Sequence, residues 1–163
     1  MKIKCGTGKD VVIPEKCLVE ARLDGLNLHR AVLENLNMTG ASFVGADLRG
    51  ALMMRAQLPQ ARMDRSSLIS ADLRYADLPN ASLCGCQAIG CRFDYADLSD
   101  ANLEDVDVGH ASFTKARLHG ANLMCLRIES AILEGATFNI RTLWPPGFDP
   151  VEAGAVLEPS EPN

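Results

Sequence analysis

Aromatic residues are scarce in this chain: five Phe, two Tyr and one Trp in 163 positions. Large rings supply much of the buried area of an ordinary globular core, so a core of aliphatic residues is expected instead. No apolar run approaches the ~18 residues of a membrane span. Residues 1–10 are a polar lead-in without the apolar stretch of a secretory leader. A cytoplasmic chain with reduced thiols, away from membranes, is the expectation. Positive charge is in deficit too. A net charge of −5 argues against direct binding to nucleic acid or to anionic lipid.

What the chain has is a five-residue sentence, seen twice in Ala41-Ser-Phe-Val-Gly-Ala-Asp-Leu-Arg-Gly50. Its positions are numbered i−2 to i+2, with the bulky apolar residue at i. The i sites run from Ile13 to Leu143. Of these 27 sites, 26 hold Leu, Ile, Val, Met or Phe, and Ala88 departs; Ala fills i−2 at 17 of the 27. A period held this long marks a repeat architecture. A strict period of five fits neither helix nor simple strand. It fits short extended sides, with the i−2 and i residues facing inward together, separated by turns. Pro14, Pro59 and Pro79 at i+1, with Gly25, Gly40, Gly45, Asn35 and Asn80 among the i+2 residues, carry the chemistry of a turn with positive φ.

The number of sides per coil follows from the exceptions. Leu26, Ser66, Cys86, Val106 and Leu126 replace Ala at i−2 and lie at multiples of 20 from one another; Tyr75 and Tyr95 are also 20 apart. Four units therefore make one turn, and residue n stacks on n+20. Ala88 and Val108 at i, beside Cys86 and Val106, read as volume compensation in one column. The 27 units give about six and a half four-sided coils, an all-β rod on the order of 30 Å long at strand spacing. Its two ends need caps. Residues 11–143 are assigned to the repeat and 144–163 to a cap and tail. Trp144 and Phe148 are expected to fold over the last coil, Val151–Leu157 to make a short turn of helix, and 158–163 to be disordered.

Units such as Ala71-Asp-Leu-Arg-Tyr75, Ala96-Asp-Leu-Ser-Asp100 and Ala121-Asn-Leu-Met-Cys125 resemble the A(D/N)LXX units of the pentapeptide-repeat family. The resemblance spans residues 11–143 and implies a right-handed quadrilateral parallel β-helix. The segment Trp144-Pro-Pro-Gly-Phe-Asp-Pro150 is similar to the tails of cyanobacterial members, most of which have no assigned activity.

With an Ala and Leu interior, chemistry would have to sit outside. His29, His110 and His119 are scattered, and none neighbours a nucleophile as a triad requires. Cys86 and Cys91 should point inward from different sides and Cys84 outward, so no four ligands converge. Cys125 is expected outward at i+2. No enzyme activity, metal or cofactor is expected. The aspartates at i−1, such as Asp47, Asp72 and Asp97, suit hydrogen bonding to nearby backbone.

Surface recognition remains. The side bearing Leu52, Met54, Arg55, Arg74, Tyr75, Arg92 and Tyr95 combines residue types found in binding hot spots. It is the expected contact surface for a protein partner of unknown identity, on a monomer or a weak end-to-end dimer. The alternative is a DNA mimic that inhibits or protects a type II topoisomerase (gyrase), through the acidic stripe of Glu20, Asp77, Asp97 and Asp100.

Overall fold

A computed structural model describes residues 1–6, 8, 10–13 and 17–159. The units from Ala21 to Gly120 fold alike. The i−2 and i side chains turn inward, and the i−1 residue forms the bridge to the next coil. A β-turn follows, closed by the next unit's i−2 N–H on the i carbonyl, as from Ala51 to Leu48 and from Ala56 to Met53, both 3.0 Å. Bridges are parallel and join n to n+20: Ser42 to Arg62, Arg62 to Ser82, Ser82 to Asn102. Leu48 N–H donates to Ser67 C=O of the following coil at 2.8 Å, and Ser67 N–H donates back to Ala46 C=O at 3.0 Å. The ladder thus runs along the stack on all four sides. Besides one 3-10 turn, the regular structure of the described residues is β.

The inside is a column of Leu, Met, Ala and Phe with essentially no exposure. Phe93 and Phe113 stack within it at 5.0 Å between centroids. Cys86, Ala88, Val106 and Val108 are all buried together, as the compensation in volume requires. Every corner from Glu20 to Gly120, and again at Gly135, uses a left-handed residue at i+2, and side-chain type does not decide it. Gly45 and Gly90 adopt it, but so do Gln60, Tyr75, Tyr95 and Lys115, with φ near 55–60°. A non-glycine residue there costs roughly 1–2 kcal/mol. The ladder bonds on either side of the corner impose it, so the turn exists even where no glycine announces it.

Both ends are capped. The lead-in is less polar in its role than in its composition: Ile3 and Cys5 are buried. β1 (Lys2–Ile3) pairs antiparallel with β2 (Val11–Val12), and Cys5 bridges Ala31, so residues 2–5 lie against the first coils. At the other end β3 (Thr137–Phe138) pairs in parallel with β4 (Val156–Leu157). The helix expected over 151–157 is therefore corrected: Asp149 caps one turn through the Val151 and Glu152 N–H groups, and the chain then re-enters the stack as a strand, with Ala155 buried. Glu158 is ordered, its N–H on Phe138 C=O at 2.8 Å. The rest of the disordered end expected there lies outside the described residues from 160 on, as does the Pro14 turn. Trp144 and Phe148 do cover the last coil; Trp144 meets Phe138 edge-on at 5.4 Å.

The unbroken register to Leu143 is corrected twice. Cys125, expected outward, is 7% exposed, and Leu126, expected inward, is 53% exposed. Leu126 bridges Asp107, a step of 19. Beside Val106 and Val108 the small thiol fits where a leucine would overpack. The lost residue is regained at Arg127, which adopts φ 59° ahead of the 3-10 turn Ile128–Ser130 and returns Ile128 to the core. Arg127 lies over Gly109 and holds Asp107 through two hydrogen bonds. A β-carbon on Gly109 would sit 2.6 Å from Arg127 Cζ. Gly109→Ala is expected to displace that guanidinium, lower the melting temperature slightly (an exposed pair contributes about 0.2–1 kcal/mol) and erase the hydrogen-bonded Arg127 Nε–H resonance by NMR.

The second slip adds a residue. Leu143 bridges Asn122, a step of 21, and is 54% exposed, while Thr142 takes the inward site expected for Arg141. Thr142 Oγ1 donates to Leu118 C=O, and Gly120 N–H is received by Asn139 Oδ1 and Thr142 Oγ1. Side chains thus replace the ladder bonds that the extra residue removes.

Candidate functional site

The face formed by units 51–55, 71–75 and 91–95 brings the expected surface residues together. Tyr75 and Tyr95 project from corresponding left-handed corners of consecutive coils. Ladder spacing places their rings face to face, 4.8 Å apart and 10° from parallel. Arg55 Cζ sits 5.7 Å from the Tyr75 centroid and Lys115 Nζ 5.5 Å from the Tyr95 centroid. The i+2 column is therefore a continuous cation–ring–ring–cation stack. Lys115 was not among the expected surface residues. Its position 20 beyond Tyr95 was the available signal.

Leu52, Tyr75 and Tyr95 are exposed; Met54 is half-buried. Arg74 and Arg92 belong to the same face but are already engaged. Arg74 makes a two-pronged contact with Asp72 at 2.8 and 2.6 Å. Arg92 lies between Asp72 and Asp94, at 3.9 and 3.6 Å. The Arg74 hydrogen bond holds the Asp72 carboxyl below its ordinary range, and Arg49 does the same for Asp47. Folded values below the unfolded one mean that these pairs stabilise the fold at neutral pH. That stability fades as pH falls through the depressed values.

The i−1 acids also do what their size suggests. Asp47, Asp72, Asp97 and Asp107 each receive the N–H two residues on, as do Asn27 and Asn102. A second device was not foreseen: an i+1 aspartate receives the hydroxyl of a serine 18 residues on, in Asp24 with Ser42, Asp64 with Ser82 and Asp94 with Ser112.

The acidic stripe is partly offset. Asp100 pairs with Arg141 at 3.2 Å. Asp77 and Asp97 are backbone bridge partners on adjacent coils. Burial, and then the Asp97 charge, push the Asp77 carboxyl up. A folded value above the unfolded one gives stability that is complete at low pH and lost as pH rises through the raised value. Asp77→Asn is therefore expected to raise the melting temperature by a degree or two at neutral pH, with the gain vanishing near pH ~3, where the unfolded carboxyl is protonated. A melting series across pH checks both the sign and the window.

The inward cysteines are unreactive by environment. Burial pushes the thiols of Cys86 up to about 11 and Cys125 up to about 12, and that of Cys91 well above its ordinary value. Cys86 Sγ instead donates to Met63 C=O at 2.7 Å. Among the described residues no three His, Cys, Asp or Glu side chains are grouped to hold a metal ion, and no helix is long and apolar enough to cross a membrane. His119, expected outward, tucks under the tail: Glu158 Oε2 lies 3.0 Å from its Nε2, but not aligned for a hydrogen bond.

Four-unit coils, an Ala and Leu interior and left-handed corners define a repeat scaffold. Comparison with known proteins places it: pentapeptide repeats match residues 17–53, 66–105 and 101–139 in eight copies. The chain belongs to the pentapeptide-repeat family. Among solved structures it is similar to HetL of the cyanobacterium Nostoc sp. strain PCC 7120, a pentapeptide repeat protein involved in heterocyst differentiation regulation, with 21% identity over 85% of this chain and 81% of that one and a TM-score of 0.48. A second Nostoc PCC 7120 pentapeptide repeat protein shares 32% identity over 66% of this chain and 84% of its own, with a TM-score of 0.42. QnrB1, a plasmid-mediated fluoroquinolone resistance protein, shares 15% identity over 86% of this chain and 90% of its own, with a TM-score of 0.30. No curated protein matches in sequence.

Proposed function

We propose that this chain is a non-catalytic scaffold, a right-handed quadrilateral β-helix that binds another protein through the face carrying Tyr75 and Tyr95. The observation behind this reading is the stacked, exposed tyrosine pair held rigidly by consecutive coils. Rigid aromatic groups lose little conformational freedom on contact and are enriched where binding energy concentrates. The double variant Tyr75→Glu/Tyr95→Glu is expected to fold, since both side chains lie outside the core, and to lose a partner captured by the parent chain from host lysate. Retention of every partner by a folded double variant would rule this face out.

The like charges of Asp77 and Asp97, bridge partners on adjacent coils, support a second reading, a duplex mimic directed at a type II topoisomerase. Acidic residues at ladder spacing offer a row of negative charge, which the Asp100–Arg141 pair shortens. On this reading the chain changes gyrase supercoiling at micromolar concentration; unchanged supercoiling excludes it.

A further inference from the structure

The tyrosine face also specifies the chemistry of what it takes, given the reading that it binds a protein. Its charges are not equivalent. Arg74 and Arg92 have carboxylate partners on the face itself. Among the described residues no ion pair includes Arg55 or Lys115; their contacts are with the Tyr75 and Tyr95 rings. The corner column therefore reads cation, ring, ring, cation, with two uncompensated charges at its ends. Three coil steps separate Arg55 from Lys115, about 14 Å at ladder spacing. Leu52, exposed on the same unit as Arg55, extends the apolar surface beside it.

We infer that the occupant is an extended protein segment with an acid–apolar–acid pattern. Its two carboxylates lie four residues apart, and an apolar side chain sits midway. In an extended chain, residues at even spacing share one face, and four steps cover about 13 Å. The two acids then reach Arg55 and Lys115 while the central side chain lies on the tyrosine rings. A single carboxylate, or two adjacent ones, would satisfy one end only.

The test uses the full chain and a fluorescein-labelled peptide with two glutamates four residues apart and a leucine midway, read by anisotropy at low ionic strength. A glutamine counterpart and a peptide with the glutamates adjacent are run alongside. The spaced glutamate peptide should bind about tenfold tighter than either control, with the difference shrinking in salt. Arg55→Glu/Lys115→Glu should abolish that preference and transfer it to the corresponding lysine peptide, with the melting temperature unchanged. Equal binding of the glutamate and glutamine peptides, or no saturable binding of the glutamate peptide, overturns the acidic assignment. A parent-chain dimer that the same charge reversal dissolves also overturns it, because the occupant is then a second copy. Loss of the lysate partner from the tyrosine variant, together with indistinguishable peptides, would retain the face and discard only its acid chemistry.

Discussion

Leu98→Arg is expected to leave no folded protein. Leu98 has no exposure, and its neighbours in the column, Leu78 and Leu118, with Ala96 and Ala101 on either side, are equally enclosed. Nothing within that column can pair with a guanidinium, and arginine does not shed its proton to escape. A buried unpaired charge costs several kcal/mol even after relaxation, a large part of the 5–15 kcal/mol typical of a whole domain. Leu98→Ala separates charge from volume. It should fold and lose about 2–5 kcal/mol through the cavity it leaves. For a chain of this size that lowers the melting temperature by roughly 5–20 °C. Circular dichroism melts on the two variants check the pair. A cooperative transition for Leu98→Arg near the parent temperature would contradict the inward placement of the i residues.

Ending the chain at residue 143 should produce a species that self-associates more strongly than the parent. The removed segment carries Trp144, which packs on Phe138, and Ala155, which is buried. It also carries the strand whose Val156 N–H and Glu158 N–H meet Ala136 and Phe138 carbonyls at 2.7 and 2.8 Å. Without it, Phe138 and the unpaired carbonyls of β3 form an open strand edge, a template for another chain. Sedimentation velocity should show a coefficient that rises with concentration for the truncated chain, with a depressed melting temperature; the parent is the reference. A truncated chain that sediments and melts as the parent does would show that the tail is not the cap.

The twenty-residue period, the inward sites and the covering role of Trp144 were legible because each depends on residue size at fixed spacing. The slip at Cys125 was not. Leu126 and Ile128 are both apolar, so a count of apolar sites passes through the slip without registering it. Only packing against Val106 and Val108 decides between a thiol and a leucine. A faint mark was present: Gly109 is the one glycine between residues 17 and 143 that is not at i+2, and it is the one Arg127 lies against. The slip near Thr142 was better signalled, since Arg141 at i−2 cannot go inside. Of the candidate face, the stacking of Tyr75 on Tyr95 followed from the period. The pairing of Arg74 and Arg92 with Asp72 and Asp94 did not, because side-chain reach across a corner is not encoded in spacing. The serine–aspartate contacts between coils escaped for the same reason.

The placement of the aromatic rings gives the molecule two separate optical windows. The single tryptophan is in the terminal cover, and the only two tyrosines are stacked on the tyrosine face two coils or more away. Tryptophan emission therefore reports fraying of one end, while the near-ultraviolet signal of the tyrosine pair reports the middle of the rod. In a stack held together between neighbouring coils, disorder entering from an end should reach the two chromophores in sequence. An occupant settling on the tyrosines should perturb one window and leave the other unchanged.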